Sequence, residues 1–142
     1  MQGDEGVLSE YRARLPVDAT TPAAARRLVR CLTDVVAPEA LETLELLVTE
    51  LVTNAVRHAG LDNRGWISVE LVAGPAAVHV EVCDPGRGFD GHETATVAGQ
   101  ERGSGWGLFL VDQLASQWGV RHDDCTRVWF DLPAERRGSF VV

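Results

Sequence analysis

The sequence contains no lysine, and arginine supplies all 13 of its basic residues. This absence excludes a P-loop, because the G-x-x-x-x-G-K-[ST] motif needs its lysine to hold the phosphates. It also excludes the strand lysine that protein kinases use for the same purpose. Any nucleotide site in this chain must therefore be built from backbone amides, arginine or a metal ion.

Cysteine is also scarce. The chain has three cysteines, Cys31, Cys83 and Cys125, which are widely spaced and form no C-x-x-C motif. The odd number and the spacing argue against a zinc site and against a disulfide framework. We therefore expect all three side chains to be reduced thiols in the protein core.

Long apolar runs and basic clusters are missing too. No segment approaches the roughly 20 apolar residues of a membrane span, and the acidic start of the chain is unlike a secretory leader. The net charge of −8 argues against a nucleic-acid-binding surface, because phosphate backbones are bound by clustered basic side chains. We expect a soluble, cytoplasmic protein that binds neither membranes nor nucleic acids directly.

The length of 142 residues fits a single domain with one core. We expect this domain to occupy 1–142, with flexible tails at about 1–6 and 135–142. A short mixed segment at 7–15 predicts an edge strand. A cap and proline signal then predicts a helix over 23–36, and a second, longer helix runs from Pro38 to about His58, with apolar residues at spacings of three and four.

The second half of the chain changes to the period of a strand. Residues 67–72 and 78–83 alternate around a Gly-Pro turn and predict a β-hairpin. The segment 85–107 is rich in glycine and too long for a simple connection, which indicates a functional loop. A third helix follows with an apolar side, and 126–132 predicts a last strand; the apolar side comprises Leu108, Val111, Ala115 and Trp118.

The order of these elements predicts an α+β fold. Strands and helices are segregated along the chain in a way that favours a two-layer α/β sandwich, with a mostly antiparallel sheet covered on one face by helices. One such domain has one principal site. The polar residues that depart from the apolar pattern are the candidates for it.

Glu50, Asn54 and Arg57 are spaced at i, i+4 and i+7 on the second predicted helix. This spacing places all three on one side while the leucines face elsewhere. A polar stripe of this kind is usually the solvated face of a helix, and alone it indicates no chemistry. Two glycine-rich segments change that interpretation.

The first glycine-rich segment, Asp-Pro-Gly-Arg-Gly at 84–88, begins where an alternating strand ends. The second, Gly-Ser-Gly-Trp-Gly-Leu at 103–108, leads directly into the third helix. Glycines before a helix let backbone N–H groups approach phosphate oxygens at the positive end of the helix dipole. Taken singly, the first segment also fits a turn and the second a hinge.

Together and in this order, the three segments resemble the N box and the first and second glycine boxes of the gyrase, histidine-kinase and MutL ATPase superfamily. The stretches Glu-Leu-Val-Thr-Asn-Ala-Val-Arg-His at 50–58 and Gly-Trp-Gly-Leu-Phe-Leu-Val at 105–111 most resemble the small, single-domain anti-sigma-factor serine kinases. The resemblance covers about Leu41 to Trp118. It implies the histidine-kinase-like ATPase fold and a site for ATP and Mg²⁺.

The resemblance also implies a role for each matching residue. Asp84 accepts a hydrogen bond from the exocyclic amine of adenine, Asn54 coordinates Mg²⁺ through its side-chain oxygen, and Glu50 is the catalytic general base. The segment at about 89–104 is the ATP lid. The other residues implied to bind the nucleotide are Arg57, Gly86, Gly88, Ser104, Gly105, Trp106, Gly107 and Leu108.

Two functions follow from this resemblance. The first is an ATP-dependent serine/threonine kinase that phosphorylates an anti-sigma-factor antagonist in a partner-switching circuit and also sequesters a sigma factor. The alternative is a nucleotide-gated binding module with little or no phosphotransfer. The catalytic domain of a histidine kinase is disfavoured, because the chain is too short to add a hairpin with a phosphoacceptor histidine. A homodimer is expected by family analogy only.

The loop at 89–102 gives a testable prediction. Its glycines and polar residues predict a segment that becomes ordered with ligand, so Mg·ATP should slow its hydrogen exchange and its proteolysis. Mg²⁺ without nucleotide is the control and should leave both rates unchanged. Equal protection with and without ATP would show that the lid interpretation is wrong.

Overall fold

A computed structural model describes residues 6–58, 65–84, 106–122 and 125–134 of the chain. Strands and helices follow one another in the predicted order, with one strand more than the sequence indicates. The elements are β1 Ser9–Pro16, α1 Thr21–Val29, a 3₁₀ turn Arg30–Leu32, α2 Pro38–His58, β2 Trp66–Ala73, β3 Ala77–Asp84, α3 Trp106–Leu114, β4 Gln117–His122 and β5 Thr126–Pro133.

The five strands of the described part form one sheet in the order β1-β2-β3-β5-β4, and every neighbouring pair is antiparallel. β1 is an edge strand, as its sequence predicts. The helices pack over one face of the sheet, and their apolar sides join the strands in one core. The predicted α+β two-layer sandwich is therefore confirmed.

The core lies between the helices and one sheet face. In β2 and β5 alternate side chains are buried, as the two-residue period of a strand requires. β3 follows the same pattern up to Val82, after which Cys83 and Asp84 are both buried. Phe130 is the largest fully buried side chain, and α2 contributes an apolar stripe that packs on the sheet: Leu44, Leu47, Val48, Leu51, Val52 and Ala55. No helix in the described part is both long and apolar enough to cross a membrane.

The first helix is shorter than its predicted range, 23–36. α1 gives way to the 3₁₀ turn, after which Thr33 N donates to Arg30 O at 3.2 Å. Leu32 and Val36 are both buried, with 0% and 1% of their surface exposed. The tighter turn brings these two side chains into the core before the chain enters α2.

Trp118 belongs to a strand, so the prediction that it extends the third helix is wrong. α3 ends at Leu114, and Ser116 N donates to Asp131 O at 2.9 Å where the pairing of β4 with β5 begins. Trp118 lies opposite Phe130 in that pair. Its side chain packs against the core from the edge of the sheet. An apolar residue at this position therefore also continues the apolar spacing of the third helix.

β4 contains a glycine, Gly119, whose missing side chain matters for packing, and its apolar residues do not distinguish a strand from a helix. A Cβ atom built at this position would lie 2.8 Å from Nε1 of Trp129, so glycine lets the indole lie close against β4. The apolar residues at 108, 111, 115 and 118 fit a helical period equally well. Only the pairing with β5 decides between the two structures.

The prediction for the cysteines is also wrong. Cys83 and Cys125 form a disulfide, with their Cα atoms 6.0 Å apart, and Cys31 is an exposed free thiol. The paired cysteines are 42 residues apart in the chain, and the antiparallel pairing of β3 with β5 brings them together. Cys31 lies in the 3₁₀ turn, outside the helical face on which it was expected.

The sheet face opposite the helices carries a polar network centred on His79. Its Nδ1 lies 2.6 Å from Asp131 Oδ1, and its Nε2 lies 2.9 Å from Glu81 Oε2. Burial lowers the pKa of His79, but the hydrogen bonds and charges of the two carboxylates raise it more, so the net pKa lies above its ordinary value. The protonated ring donates from both nitrogens.

Replacing His79 with glutamine should remove stability that depends on pH. Because the folded-state pKa is raised, the imidazolium contributes fully below the unfolded pKa near 6.5 and loses its contribution as pH rises through the folded value. The difference in unfolding free energy between wild type and His79→Gln should therefore be larger at about pH 6 than at about pH 9. Chemical denaturation at both pH values measures it.

The matched control is Arg12→Gln, which breaks the exposed ion pair with Glu70 on the same sheet face, 3.2 Å long. This variant leaves the His79 network in place, so its effect on stability should be equal at both pH values. The same pH-independent behaviour for His79→Gln would contradict the role of the imidazolium.

Candidate functional site

The polar stripe on α2 is not solvated along its whole length. Asn54 has only 8% of its surface exposed, whereas Glu50 is half-buried and Arg57 is exposed. Leu51 and Ala55, on either side of Asn54, belong to the core. Burying an amide costs free energy unless its polar atoms are hydrogen-bonded or bind a ligand. The burial of Asn54 fits the predicted binding role, which stays a prediction.

Asp84, the last residue of β3, is buried as well, with 4% of its surface exposed. It lies on the same strand face as Val80 and Val82, which face the helices. A carboxylate at such a place needs hydrogen-bond donors. The exocyclic amine of adenine is one, whereas guanine would present a carbonyl oxygen.

Thr126 is a candidate site residue that sequence reasoning missed. It lies directly opposite Asp84 in the register of β3 with β5, and it is buried, with 5% of its surface exposed. Its hydroxyl can both donate and accept a hydrogen bond. No local signal marks it, because a threonine at the start of a strand is ordinary and its importance comes from the strand opposite.

Buried polar side chains are concentrated in this part of the molecule. The described residues hold four of them, and three are Asn54, Asp84 and Thr126. The fourth, Thr21, donates to the carbonyl of Pro16 in the turn before α1. Since α2 packs against β3 and β5, the three candidates belong to elements that contact one another. Every other buried side chain among the described residues is apolar.

The helix after the second glycine-rich segment is Trp106–Leu114, so it includes Trp106 and Gly107, which the sequence assigns to the loop. The side chains of Leu108 and Val111 have 5% and 0% of their surface exposed and anchor α3 in the core. Leu108 can therefore serve a nucleotide only through its backbone. α3 packs against α2, which places the helix with the predicted phosphate-binding amides beside the helix with Glu50 and Asn54.

Several predicted site residues lie outside the described residues and stay predictions. Of Trp106 and Gly107 the structure gives the backbone, within the first turn of α3. A helix N-terminus carries unpaired N–H groups and a partial positive charge that suit phosphate oxygens. The residues that fall outside are Gly86, Gly88, Ser104 and Gly105, together with the predicted lid at 89–104.

The described residues contain no group of three or more His, Cys, Asp or Glu side chains placed to hold a metal ion. Mg²⁺ needs no such group, because it usually keeps several waters and takes ligands from substrate phosphates beside one or two protein oxygens. The buried amide oxygen of Asn54 fits that pattern. Its assignment as the Mg²⁺ ligand stays a prediction.

The described residues form an α+β sandwich in which three buried polar side chains belong to contacting helix and strand elements. The family model described as the histidine kinase-like ATPase domain matches residues 15–132. This match spans most of the chain. The chain therefore belongs to the histidine kinase-like ATPase domain family.

Curated relatives carry the name serine-protein kinase RsbW. The protein of Listeria monocytogenes serotype 4a is 34% identical over 97 residues, which are 61% of this chain and 61% of that protein. The protein of Oceanobacillus iheyensis is 34% identical over 86 residues, 54% of either chain. The chain thus spans only about three-fifths of the length of the curated relatives it matches.

Solved structures agree with the fold. The histidine kinase domain of a blue-light activated histidine kinase from Erythrobacter litoralis is 28% identical, with a TM-score of 0.50, over 67% of this chain and 45% of that one. A chain of the SiaB-SiaC complex from Pseudomonas aeruginosa is 13% identical, with a TM-score of 0.56, over 92% of both chains. The second likeness shows the fold alone.

Asp84→Ala should weaken ATP binding and remove the preference for ATP over GTP. The loss of a charge-assisted hydrogen bond that leaves the adenine amine unpaired costs about 2–3 kcal/mol, or roughly 30- to 150-fold in affinity. Calorimetric titration with ATP, ADP and GTP measures both effects. The control is Asp131→Ala, which removes a carboxylate from the opposite sheet face and should leave the affinities for ATP, ADP and GTP unchanged. Equal binding of ATP and GTP by the wild type contradicts the assignment.

Proposed function

We propose that this protein is a Mg·ATP-dependent serine/threonine kinase whose substrate is a small protein, an antagonist of an anti-sigma factor in a partner-switching circuit. The observation that carries the proposal is the pair Glu50 and Asn54. They lie one helical turn apart on α2, with Asn54 buried and Glu50 half-buried beside it. The relatives named serine-protein kinase RsbW support the same activity.

Each residue has a distinct task in this reaction. Asp84 selects adenine, and the amides in the first turn of α3 hold the phosphates. Asn54 would hold Mg²⁺, and the ion would supply positive charge that neutralises the phosphates. Glu50 accepts the proton of the substrate hydroxyl while the hydroxyl oxygen bonds to the γ-phosphorus. The bond between the γ-phosphorus and the β-phosphate oxygen breaks, and ADP leaves.

The absence of lysine fits this division of tasks. Backbone amides and one metal ion replace the lysine that other nucleotide sites use, and each is a fixed donor or charge that needs no flexible side chain. Arg57 lies one turn beyond Asn54 and is exposed, and its guanidinium is a further phosphate-binding group in this proposal. A sigma factor and a second copy of the chain are further partners in this proposal.

Variants at Glu50 and Asn54 should separate chemistry from binding. Glu50→Gln keeps size and polarity but cannot take a proton, so ATP affinity should stay the same or rise while phosphotransfer falls roughly 10²- to 10⁴-fold. Asn54→Ala should lose Mg²⁺-dependent ATP binding and turnover together. Calorimetry and transfer of labelled phosphate to candidate antagonist domains measure the two quantities.

The control is Glu42→Gln, which changes an exposed carboxylate on the same helix and should alter neither quantity. Phosphotransfer at the wild-type rate by Glu50→Gln would show that Glu50 is not the base. If the wild-type protein binds ATP and its partner but never phosphorylates the partner, the kinase proposal is wrong and the nucleotide-gated binding module is the better description.

A further inference from the structure

The disulfide between Cys83 and Cys125 joins the two strands at the candidate site. Cys83 directly precedes Asp84, and Cys125 directly precedes Thr126, which is the register partner of Asp84. The covalent bond thus lies one residue from each member of a buried polar pair. Any change at this bond acts on the backbone that positions both side chains.

The bond lies behind the site rather than in it. Successive side chains of a strand point to opposite faces, so the Cys83 side chain lies on the sheet face opposite Asp84. On that face the register partner of Cys83 is Arg127, which pairs with Glu81 at 3.3 Å. The disulfide therefore lies on the other sheet face from the Asp84 side chain. Its influence on Asp84 passes through the strands.

The disulfide also encloses most of the residues that are predicted to bind the nucleotide. It closes a loop between cysteines 42 residues apart, which contains Asp84, both glycine-rich segments and the whole of α3. Only the α2 residues lie outside the loop. A cross-link restricts the conformations open to the chain between its ends, and here that chain is the nucleotide-binding half of the site.

We infer that Cys83 and Cys125 form a redox site that controls nucleotide affinity, and that the reagent it takes is a dithiol reductant. One thiolate of the dithiol attacks a sulfur of the disulfide, which forms a mixed disulfide and releases one cysteine thiol. The second thiol of the dithiol then attacks the reagent's own sulfur in the mixed disulfide, which releases the other cysteine thiol. The dithiol leaves as a disulfide, and its two protons and two electrons end on the thiols of Cys83 and Cys125. The part of this inference that concerns affinity rests on the proposed function.

The oxidised protein is the form that binds nucleotide tightly. With the cross-link intact, Asp84 and Thr126 are held opposite each other at the end of the β3 and β5 pair. After reduction only hydrogen bonds hold that end, so the arrangement that accepts adenine is a smaller fraction of the population. The apparent affinity falls by that fraction.

The experiment compares the full chain before and after treatment with dithiothreitol. Alkylation under denaturing conditions should label one thiol, Cys31, before treatment and all three afterwards. ATP affinity, measured by calorimetry in both states, should fall roughly tenfold or more on reduction. Hydrogen exchange at the amides of Asp84 and Thr126 should become faster.

Two variants provide the controls. Cys83→Ser combined with Cys125→Ser should bind ATP as weakly as the reduced wild type and should not respond to dithiothreitol. Cys31→Ser, which changes the exposed free thiol, should keep the full response. Far-UV circular dichroism should be unchanged on reduction, and unfolding of the whole domain would contradict a local device.

The outcomes distinguish this inference from the proposed function. Equal ATP affinity in both redox states overturns the redox site and leaves the kinase proposal intact. Three labelled thiols before treatment also overturn the redox site. If neither state binds ATP, the proposed function fails, and hydrogen exchange decides the redox site: faster exchange on reduction supports it, and unchanged exchange overturns it.

Discussion

The antiparallel pairing of β3 with β5 is the constraint on which the candidate site depends. These strands are separated in the chain by both glycine-rich segments, α3 and β4, yet their register sets Asp84 opposite Thr126. The same pairing brings Cys83 to Cys125 and provides the strand on which β4 forms. A shift of one residue would turn Asp84 away from the helices, because strand side chains alternate between the two faces. The apolar layer, dominated by Phe130 and its neighbours, fixes that register.

Polar burial gives the site its character. Asn54 and Asp84 are removed from water within a layer that is otherwise apolar, and groups in such a place interact strongly with whatever donors or charges approach them. In the proposed function this setting suits a triphosphate even without lysine, because helix N-terminal amides and a metal ion would carry the positive charge. Glu50, one turn before Asn54 on α2, is half-buried.

The two faces of the sheet carry different groups, although the same strands form both. One face packs under the helices and carries the candidate site; the other carries the His79 network and Cys83. Neighbouring residues of β3 therefore belong to different environments. Reduction of the disulfide on the outer face is the change that we infer to act on the strand that presents Asp84.

The sequence by itself determined the long helix α2, the hairpin of β2 and β3, the fold class and the three segments that carry the resemblance, because each depends on local periodicity or on a contiguous motif. Tertiary structure alone decided the rest. Trp118 became part of a strand because β5 offers it a partner, and Thr126 joined the site because it lies opposite Asp84. The pairing of β3 with β5 also brings Cys83 to Cys125, which is 42 residues away in the chain. Strand pairing joins residues that are distant in the chain, so no local pattern contains it.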